Sequence, residues 1–242
     1  MNLIIDVGNS FVKIAVFQKD KIISSHKVKN KEVLKTLRGI RKAHKNIKKV
    51  IFSSVGKLRK IDIAYLDKYY DTLVLNHETR VPFTNLYSTP KTLGIDRIAL
   101  VSGSVQQFSN KNVLIIDAGT CITFDFINNK NEYLGGAISP GIRMRYKALH
   151  HFTANLPLLE TKMPQNIVGD ATATAMHSGV VEGVLLEIDG AIQEYKLKYS
   201  DLTIILTGGD ANFLSKQLKS SIFANSNFLL EGLNFILQYN TH

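Results

Sequence analysis

The sequence predicts two α/β domains of the same build, each around a mixed sheet, and three observations carry that prediction. An apolar, β-branched run ending in Asp-x-Gly occurs twice, as Asn2-Leu3-Ile4-Ile5-Asp6-Val7-Gly8-Asn9-Ser10 and as Val113-Leu114-Ile115-Ile116-Asp117-Ala118-Gly119-Thr120. After each copy come two more strand-like runs separated by polar turns. Helical patterns alternating with single strands then complete each half. Three strands followed by α-β-α, used twice, is the pattern of a duplicated α/β domain.

The elements follow in chain order. In the first half the second strand is Phe11–Phe17, the turn Gln18–Lys21 and the third strand lies near Ile22–Val28. Turn residues between such runs make a meander. Single strands at Val50–Ser53 and Leu73–Leu75 alternate with helical patterns, and a further helix begins near Ile95. The polar stretch Ser109–Asn112 marks a seam, giving expected domains 1–110 and 111–242. In the second half the matching pieces are Cys121–Ile127, Asn128–Asn131 and Tyr133–Ser139, with a later strand at Leu202–Leu206. A helix is expected from Gly169 to about Lys198, a proline-free stretch in which Ala171, Ala175, Gly179 and Gly183 recur four apart. Glycine inside a helix costs ~1 kcal/mol relative to alanine, so two on one stripe suggest close approach by another element. That element is either the other domain or a second subunit.

Composition narrows the function classes. A hydrophobic content of 45% suits a chain that buries a core. No apolar run approaches the ~18 residues of a membrane span, so no membrane association is expected. The start Met1-Asn2-Leu3-Ile4-Ile5-Asp6 has no basic segment and an early acid, which argues against a signal peptide. Cys121 is the only cysteine, which excludes a disulfide framework and a cysteine-based zinc site and points to a reduced, cytoplasmic compartment. The net charge of +10 is concentrated in residues 27–60, which hold 13 Lys or Arg against one acid, Glu32. Such a face can attract anionic substrates or nucleic acid. The segment has no interleaved aromatics for base stacking, which weighs against nucleic acid and leaves a solvated helix face as the plainer reading.

Four motifs can carry chemistry. A tight Asp-x-Gly turn exposes backbone N–H groups to a phosphate, and a strand-end carboxylate can hold a hydrated cation. One copy alone is an ordinary hairpin turn. Two copies at equivalent places in duplicated domains point to paired loops clamping a polyphosphate. Thr207-Gly208-Gly209-Asp210 follows a strand and precedes a helix, the arrangement of an anion or nucleotide site, with Asp210 as plain N-cap the alternative. Gly94-Ile95-Asp96-Arg97 opens a helix; its Asp can accept a hydroxyl proton while its Arg holds an anionic group. Gly135–Gly141 reads as a strand-to-helix turn. His150, His151 and His177 lack partners at metal-ligand spacing and read as surface or packing residues.

The paired loops resemble those of the actin-like, sugar-kinase and Hsp70 superfamily, which implies RNase H-like domains flanking an interdomain cleft. Within it the chain is similar to type III pantothenate kinases. Asp6-Val7-Gly8-Asn9-Ser10, Gly94-Ile95-Asp96-Arg97 and Asp117-Ala118-Gly119-Thr120 stand in that family's order and spacing. So do Gly136-Ala137-Ile138-Ser139-Pro140-Gly141, Ala148-Leu149, Thr153-Ala154-x-Leu156-Pro157, Thr172-x-x-Ala175-x-x-x-Gly179 and Thr207-Gly208-Gly209-Asp210. Together they span residue 2 to about 235. The resemblance implies ATP-dependent phosphorylation of pantothenate, the first step of coenzyme A synthesis, in a homodimer.

It also implies roles. Asp6, Val7, Gly8, Asn9, Ser10, Phe11, Val12 and Lys13 would form the first phosphate loop, and Thr120 would contact ATP. Asp96 would be the proton acceptor within a pantothenate segment comprising Tyr87, Gly94, Ile95, Asp96 and Arg97, with Thr172 a further pantothenate contact. Asp117 would bind a monovalent cation, K+ or NH4+, and Mg2+ would accompany ATP. Ser10 replaces the family's usual Thr, and Ala118-Gly119-Thr120-Cys121 a more usual Phe-Gly-Thr-Ala; both keep the glycine and the hydroxyl. Two other classes stay open. The family includes Bvg accessory factors linked to transcription, for which the 27–60 face would bind nucleic acid. An RNase H-like nuclease would need its acids clustered in one domain, whereas Asp6 and Asp117 fall one per repeat.

Overall fold

A mixed sheet requires parallel pairs formed across helical connections, and the strand registers show where these lie. The computed structural model describes residues 1–8, 11–54 and 58–241, so Asn9, Ser10 and the basic residue Lys57 fall outside the described residues.

The first half contains β1 (Asn2–Val7), β2 (Val12–Gln18), β3 (Lys21–Val28), α1 (Val33–Ala43), β4 (Lys49–Ser54), α2 (Lys60–Tyr69), β5 (Asp71–Val74), β6 (Thr84–Asn85) and α3 (Ile95–Gln107). The sheet order is β3-β2-β1-β4-β5. β1 pairs with β2 antiparallel, setting Asp6 opposite Lys13, and with β4 in parallel, setting Asp6 opposite Ser53. Leu3, Ile4, Ile5 and Val7 are all buried, as expected of a central strand covered on both faces. Leu3, Ile5 and Val7 pack with Val33, Leu37 and Ile40 of α1 and Leu66 of α2.

The second half repeats the plan with β7 (Asn112–Ala118), β8 (Cys121–Ile127), β9 (Glu132–Pro140), α4 (Ile142–Phe152), α5 (Thr172–His177), α6 (Gly183–Lys198), β10 (Leu202–Thr207), α7 (Ala211–Leu214), β11 (Phe223–Ala224) and α8 (Phe228–Tyr239). Here the order is β11-β10-β7-β8-β9-β6, with β6 pairing in parallel with the start of β9 at Glu132 and Tyr133. β7 pairs with β8 antiparallel and with β10 in parallel, setting Asp117 opposite Thr123 and Thr207. The duplication therefore holds at the level of register: each Asp-x-Gly strand lies between a hairpin partner and a parallel strand that carries a hydroxyl beside the aspartate.

The compact units do not follow the expected boundary, and the expected helix is corrected. The chain forms two units, Met1–Ser109 with Asn131–Tyr133 and Asn227–His242, and Asn110–Lys130 with Leu134–Ser226. The expected second domain, 111–242, thus gives up α8, which packs on α3, β1 and β4 of the first unit. The physical reason is close approach: a Cβ on Gly103 of α3 would lie 3.2 Å from the Gly232 Cα of α8, and one on Gly232 would collide with the Ala99 carbonyl. The helix expected from Gly169 begins at Thr172, and it is interrupted by a π turn at Ser178–Glu182 between α5 and α6. β9 contains the expected strand Tyr133–Ser139 and runs on to Pro140, so the strand-to-helix turn read over Gly135–Gly141 is confined to its end, with Gly135 at φ 106°.

Candidate functional site

In the first unit, β1 delivers Asp6 to the end of the sheet. Ser53 Oγ, buried on β4, donates to Asp6 Oδ1 at 3.1 Å. Burial pushes the Asp6 carboxyl above its ordinary value of 3.8; the Lys13 charge and the Ser53 hydrogen bond pull it back, and the negative charge of Asp96 pushes it up again. The turn closes through Gly8 N–H donating to the Phe11 carbonyl at 3.1 Å. Val7 and Val12 turn their side chains into the core, so only their backbones are available to a ligand. Phe11 is exposed, with the Lys27 ammonium 4.6 Å from its ring centroid.

The residues expected to form a pantothenate segment, Tyr87 and Gly94–Arg97, lie in this unit. Gly94 precedes α3, and a Cβ there would collide with Asp96 Oδ1, so glycine leaves room for that carboxylate. Asp96 Oδ1 accepts the Arg97 N–H at 2.9 Å. Ile95 is half-buried at the first position of α3. The buried Arg97 places its guanidinium 5.6 Å from the Tyr87 ring centroid, and Tyr87 stacks on the fully buried Tyr133 at 6.0 Å. Tyr87, Arg97 and Asp96 are thus brought together, with the Asp96 charge felt at Asp6.

In the second unit, Gly119 N–H donates to the Cys121 carbonyl at 2.9 Å, and Gly141 N–H donates to the Thr120 carbonyl at 3.0 Å. Gly208, at φ 99°, lies so close to Ala118 and Asp117 Oδ1 that a Cβ would collide with both. Asp210 N–H donates to the Ala118 carbonyl at 2.9 Å. The Thr207–Asp210 loop therefore packs directly on the Asp117–Thr120 loop. Asp117 is half-buried and Thr120 exposed. Asp210 makes no side-chain cap to α7; burial raises its carboxyl above the ordinary value and the Arg143 charge lowers it. Among the described residues no group of three or more His, Cys, Asp or Glu side chains could hold a metal ion.

Thr172 lies on the wall of a largely apolar cavity of about 850 Å3 between α4 and α5, with Arg145, Leu149, Phe152, Leu156 and Gly179. The histidines pack as the sequence suggested. His177 Nδ1 lies 2.7 Å from Tyr146 Oη, and His150 Nδ1 lies 2.8 Å from the Leu156 carbonyl. Sequence reasoning missed Ser53 and Arg145. Ser53 carries a signal only once the parallel strand register is known. Arg145, one helical turn past Gly141, carries none beyond its charge; it pairs with Glu187 and donates to Ser139 Oγ at 2.9 Å.

Comparison with known proteins adds a family. A family model described as type III pantothenate kinase matches residues 2–194. A type III pantothenate kinase from Christiangramia forsetii is 50% identical over 99% of both chains, and one from Bacteroides fragilis is 43% identical over 99% of this chain and 98% of that one. Among solved structures, a Baf family transcriptional activator from Campylobacter jejuni superposes with a TM-score of 0.67 at 24% identity, covering 98% of each chain. An N-acetylmannosamine kinase homologue from Listeria monocytogenes gives 0.57 at 10% identity, covering 100% of this chain and 99% of that one. These two likenesses concern the fold, the duplicated RNase H-like architecture of sugar kinases.

Proposed function

The chain belongs to the type III pantothenate kinase family, and from that premise we propose that Asp96 is the general base that activates the pantothenate hydroxyl. The protein is an ATP-dependent kinase that phosphorylates pantothenate for coenzyme A synthesis. The relatives support this activity and not a regulator's. The observation that supports the site assignment is geometric: Asp96 stands at the start of α3, its Oδ1 accepting the Arg97 N–H at 2.9 Å, with the Arg97 guanidinium 5.6 Å from the Tyr87 ring centroid. In this reading an acceptor held by Tyr87 and Arg97 would lie next to the bound phosphates.

Phosphoryl transfer depends on position and charge neutralisation more than on covalent participation. The pantothenate hydroxyl oxygen forms its bond to the γ-phosphorus as the bridging oxygen leaves with ADP, and the hydroxyl proton passes to Asp96. Arg97 holds the pantothenate carboxylate. Backbone N–H groups from Asp6 to Lys13 take ATP phosphates, Lys13 adds a positive charge, and Thr120 adds a hydroxyl donor. Asp117 would hold the monovalent cation, K+ or NH4+. One half-buried carboxylate without an acidic cluster suits such an ion, and suits Mg2+ that keeps its waters and phosphate ligands. The ions would offset phosphate charge.

The homodimer belongs to the same reading. Ala171, Ala175 and Gly179 are exposed, and nothing lies within 4 Å of a Cβ built on Gly179 or Gly183. Phe152, Ile167, Val168 and Leu186 are 81%, 68%, 79% and 63% exposed. Exposed large apolar side chains of this kind suit an interface, here with a second copy that meets the small-residue stripe beside the Thr172 cavity. No helix is long and apolar enough to cross a membrane among the described residues, and the lone half-buried cysteine suits the cytoplasm.

A coupled ADP-release assay tests the whole reading. Turnover should require pantothenate, and should be at least several-fold faster in potassium or ammonium than in sodium alone. ADP release independent of pantothenate would end the kinase assignment; equal rates in all three salts would remove Asp117 as a monovalent-cation ligand.

A further inference from the structure

We propose that the C-terminal ends of α1 and α2 form a second anion site that binds an oligophosphate chain, separate from the ATP loops. The two helices enclose a cavity of about 610 Å3 lined by Arg38, Arg41, Lys42, Lys45, Tyr65 and Tyr69. A solvated basic helix face would spread its charges. Here four cations from one stripe of α1 and the turn after it converge on a single concavity. None has an acidic partner among the described residues.

The aromatic residues orient the charges. The Arg41 guanidinium lies 3.8 Å from the Tyr69 ring centroid and the Lys68 ammonium 5.3 Å from it, while Tyr65 packs against the same ring at 4.8 Å and 59°. With Tyr69 occupied in this way, the pair is a brace for the cations and not a platform for a nucleobase. Behind them burial raises the Tyr70 hydroxyl above its ordinary value, Tyr65 adds to the rise and the Arg41 charge opposes it. Phosphate oxygens satisfy such a set of donors, and the fork geometry of arginine suits them best. The C-terminal dipole of α1 opposes an anion, but at about half an elementary charge against four full positive ones it is outweighed.

Topology separates this cavity from the reaction. α1 ends shortly before β4 begins, and α2 shortly before β5 begins; both strands run parallel to β1. The helix ends therefore lie at the edge of the sheet where β1 starts, whereas Asp6 lies near the end of its 6 residues. At about 3.3 Å per residue the four steps from Asn2 to Asp6 put roughly 13 Å of strand between the two ends.

The probe is inorganic tripolyphosphate, titrated calorimetrically into the full chain already saturated with a non-hydrolysable ATP analogue and Mg2+. One further binding event is expected. It should weaken at least tenfold between 50 and 200 mM salt, as multivalent ion pairing does. Arg41→Gln with Lys45→Gln should weaken it by a further tenfold or more and leave kinase turnover within about twofold, which also shows that the variant is folded. Absence of binding once the ATP loops are filled, or binding unchanged in the double variant, would overturn the proposal. So would binding of a single-stranded oligonucleotide with no binding of tripolyphosphate.

Discussion

Ser53 donates to Asp6 from the strand that pairs in parallel with β1, and Thr207 occupies the same register beside Asp117. At the residue scale each unit thus ends its central strand in a carboxylate with a buried hydroxyl in register beside it, and the first unit adds Asp96 and Arg97. Asp96→Asn keeps the shape and removes the proton acceptor. Turnover should fall ~10²–10⁴-fold with the melting curve unchanged; a variant above about a tenth of wild-type turnover would take Asp96 out of the mechanism. Asp6 yields a pH prediction. Its carboxyl is raised above 3.8 in the folded chain, mainly by burial. From that value up through the folded pKa the folded state binds more protons than the unfolded one, so stability falls as pH rises and stays lower above the window. Asp6→Asn carries no such charge. It should melt higher than wild type at pH 7, lose that advantage below pH 3.8, and bind ATP more weakly. Equal melting temperatures at pH 7 would show that the buried charge is compensated.

At the element scale the informative feature is the helix α5–π turn–α6. Four-residue steps overshoot the 3.6 residues of an α-turn, so a stripe spaced by four drifts around a regular helix. The wider π turn at Ser178–Glu182 counters that drift where Gly179 and Gly183 fall. Among the described residues nothing lies within 4 Å of a Cβ built on either glycine, so close packing at the Cβ position within the subunit is not their reason. Gly179→Leu should leave the melting temperature of a dissociated chain unaltered. It should weaken self-association by about 1–3 kcal/mol and raise the KM for pantothenate more than that for ATP. Light scattering with substrate titrations reads both. A wild-type chain that is monomeric at micromolar concentration would sink the dimer.

At the scale of the whole molecule, the last helix returns to the first unit. α8 covers α3, whose residues Arg97–Ser104 are all buried, and the two meet where Gly103 faces Gly232. Gly232→Ala drives a methyl group into the Ala99 carbonyl and should cost about 1–3 kcal/mol, or ~2–4 °C of melting temperature per kcal/mol in a chain of this size. Gly190→Ala is the control. It is exposed with nothing within 4 Å of the new Cβ, and should hold or gain stability through helix propensity. A loss at Gly190 equal to that at Gly232 would mean that the α3–α8 contact is not the cause.

The sequence by itself determined the duplication, the strands that end in Asp6 and Asp117, the glycine turns and the order of the family's motifs, because these are local. Period-two apolar runs, turn chemistry and helix-start residues are written within a few positions of where they act. It also placed Tyr87, Gly94 and Arg97 in one segment, although only the fold shows the Arg97 guanidinium over the Tyr87 ring. Three things were decided by tertiary structure alone. Ser53 meets Asp6 across 47 positions because β1 and β4 pair in parallel, a register that neither strand's own pattern encodes. The basic stretch 27–60 gathers four of its charges around Tyr65 and Tyr69 because α1 packs beside α2. α8 joins the first unit because an apolar helix can cover either sheet, and the choice rests on the match between Gly103 and Gly232. Contacts between distant segments depend on which surfaces fit, and that complementarity exists only once both surfaces have formed.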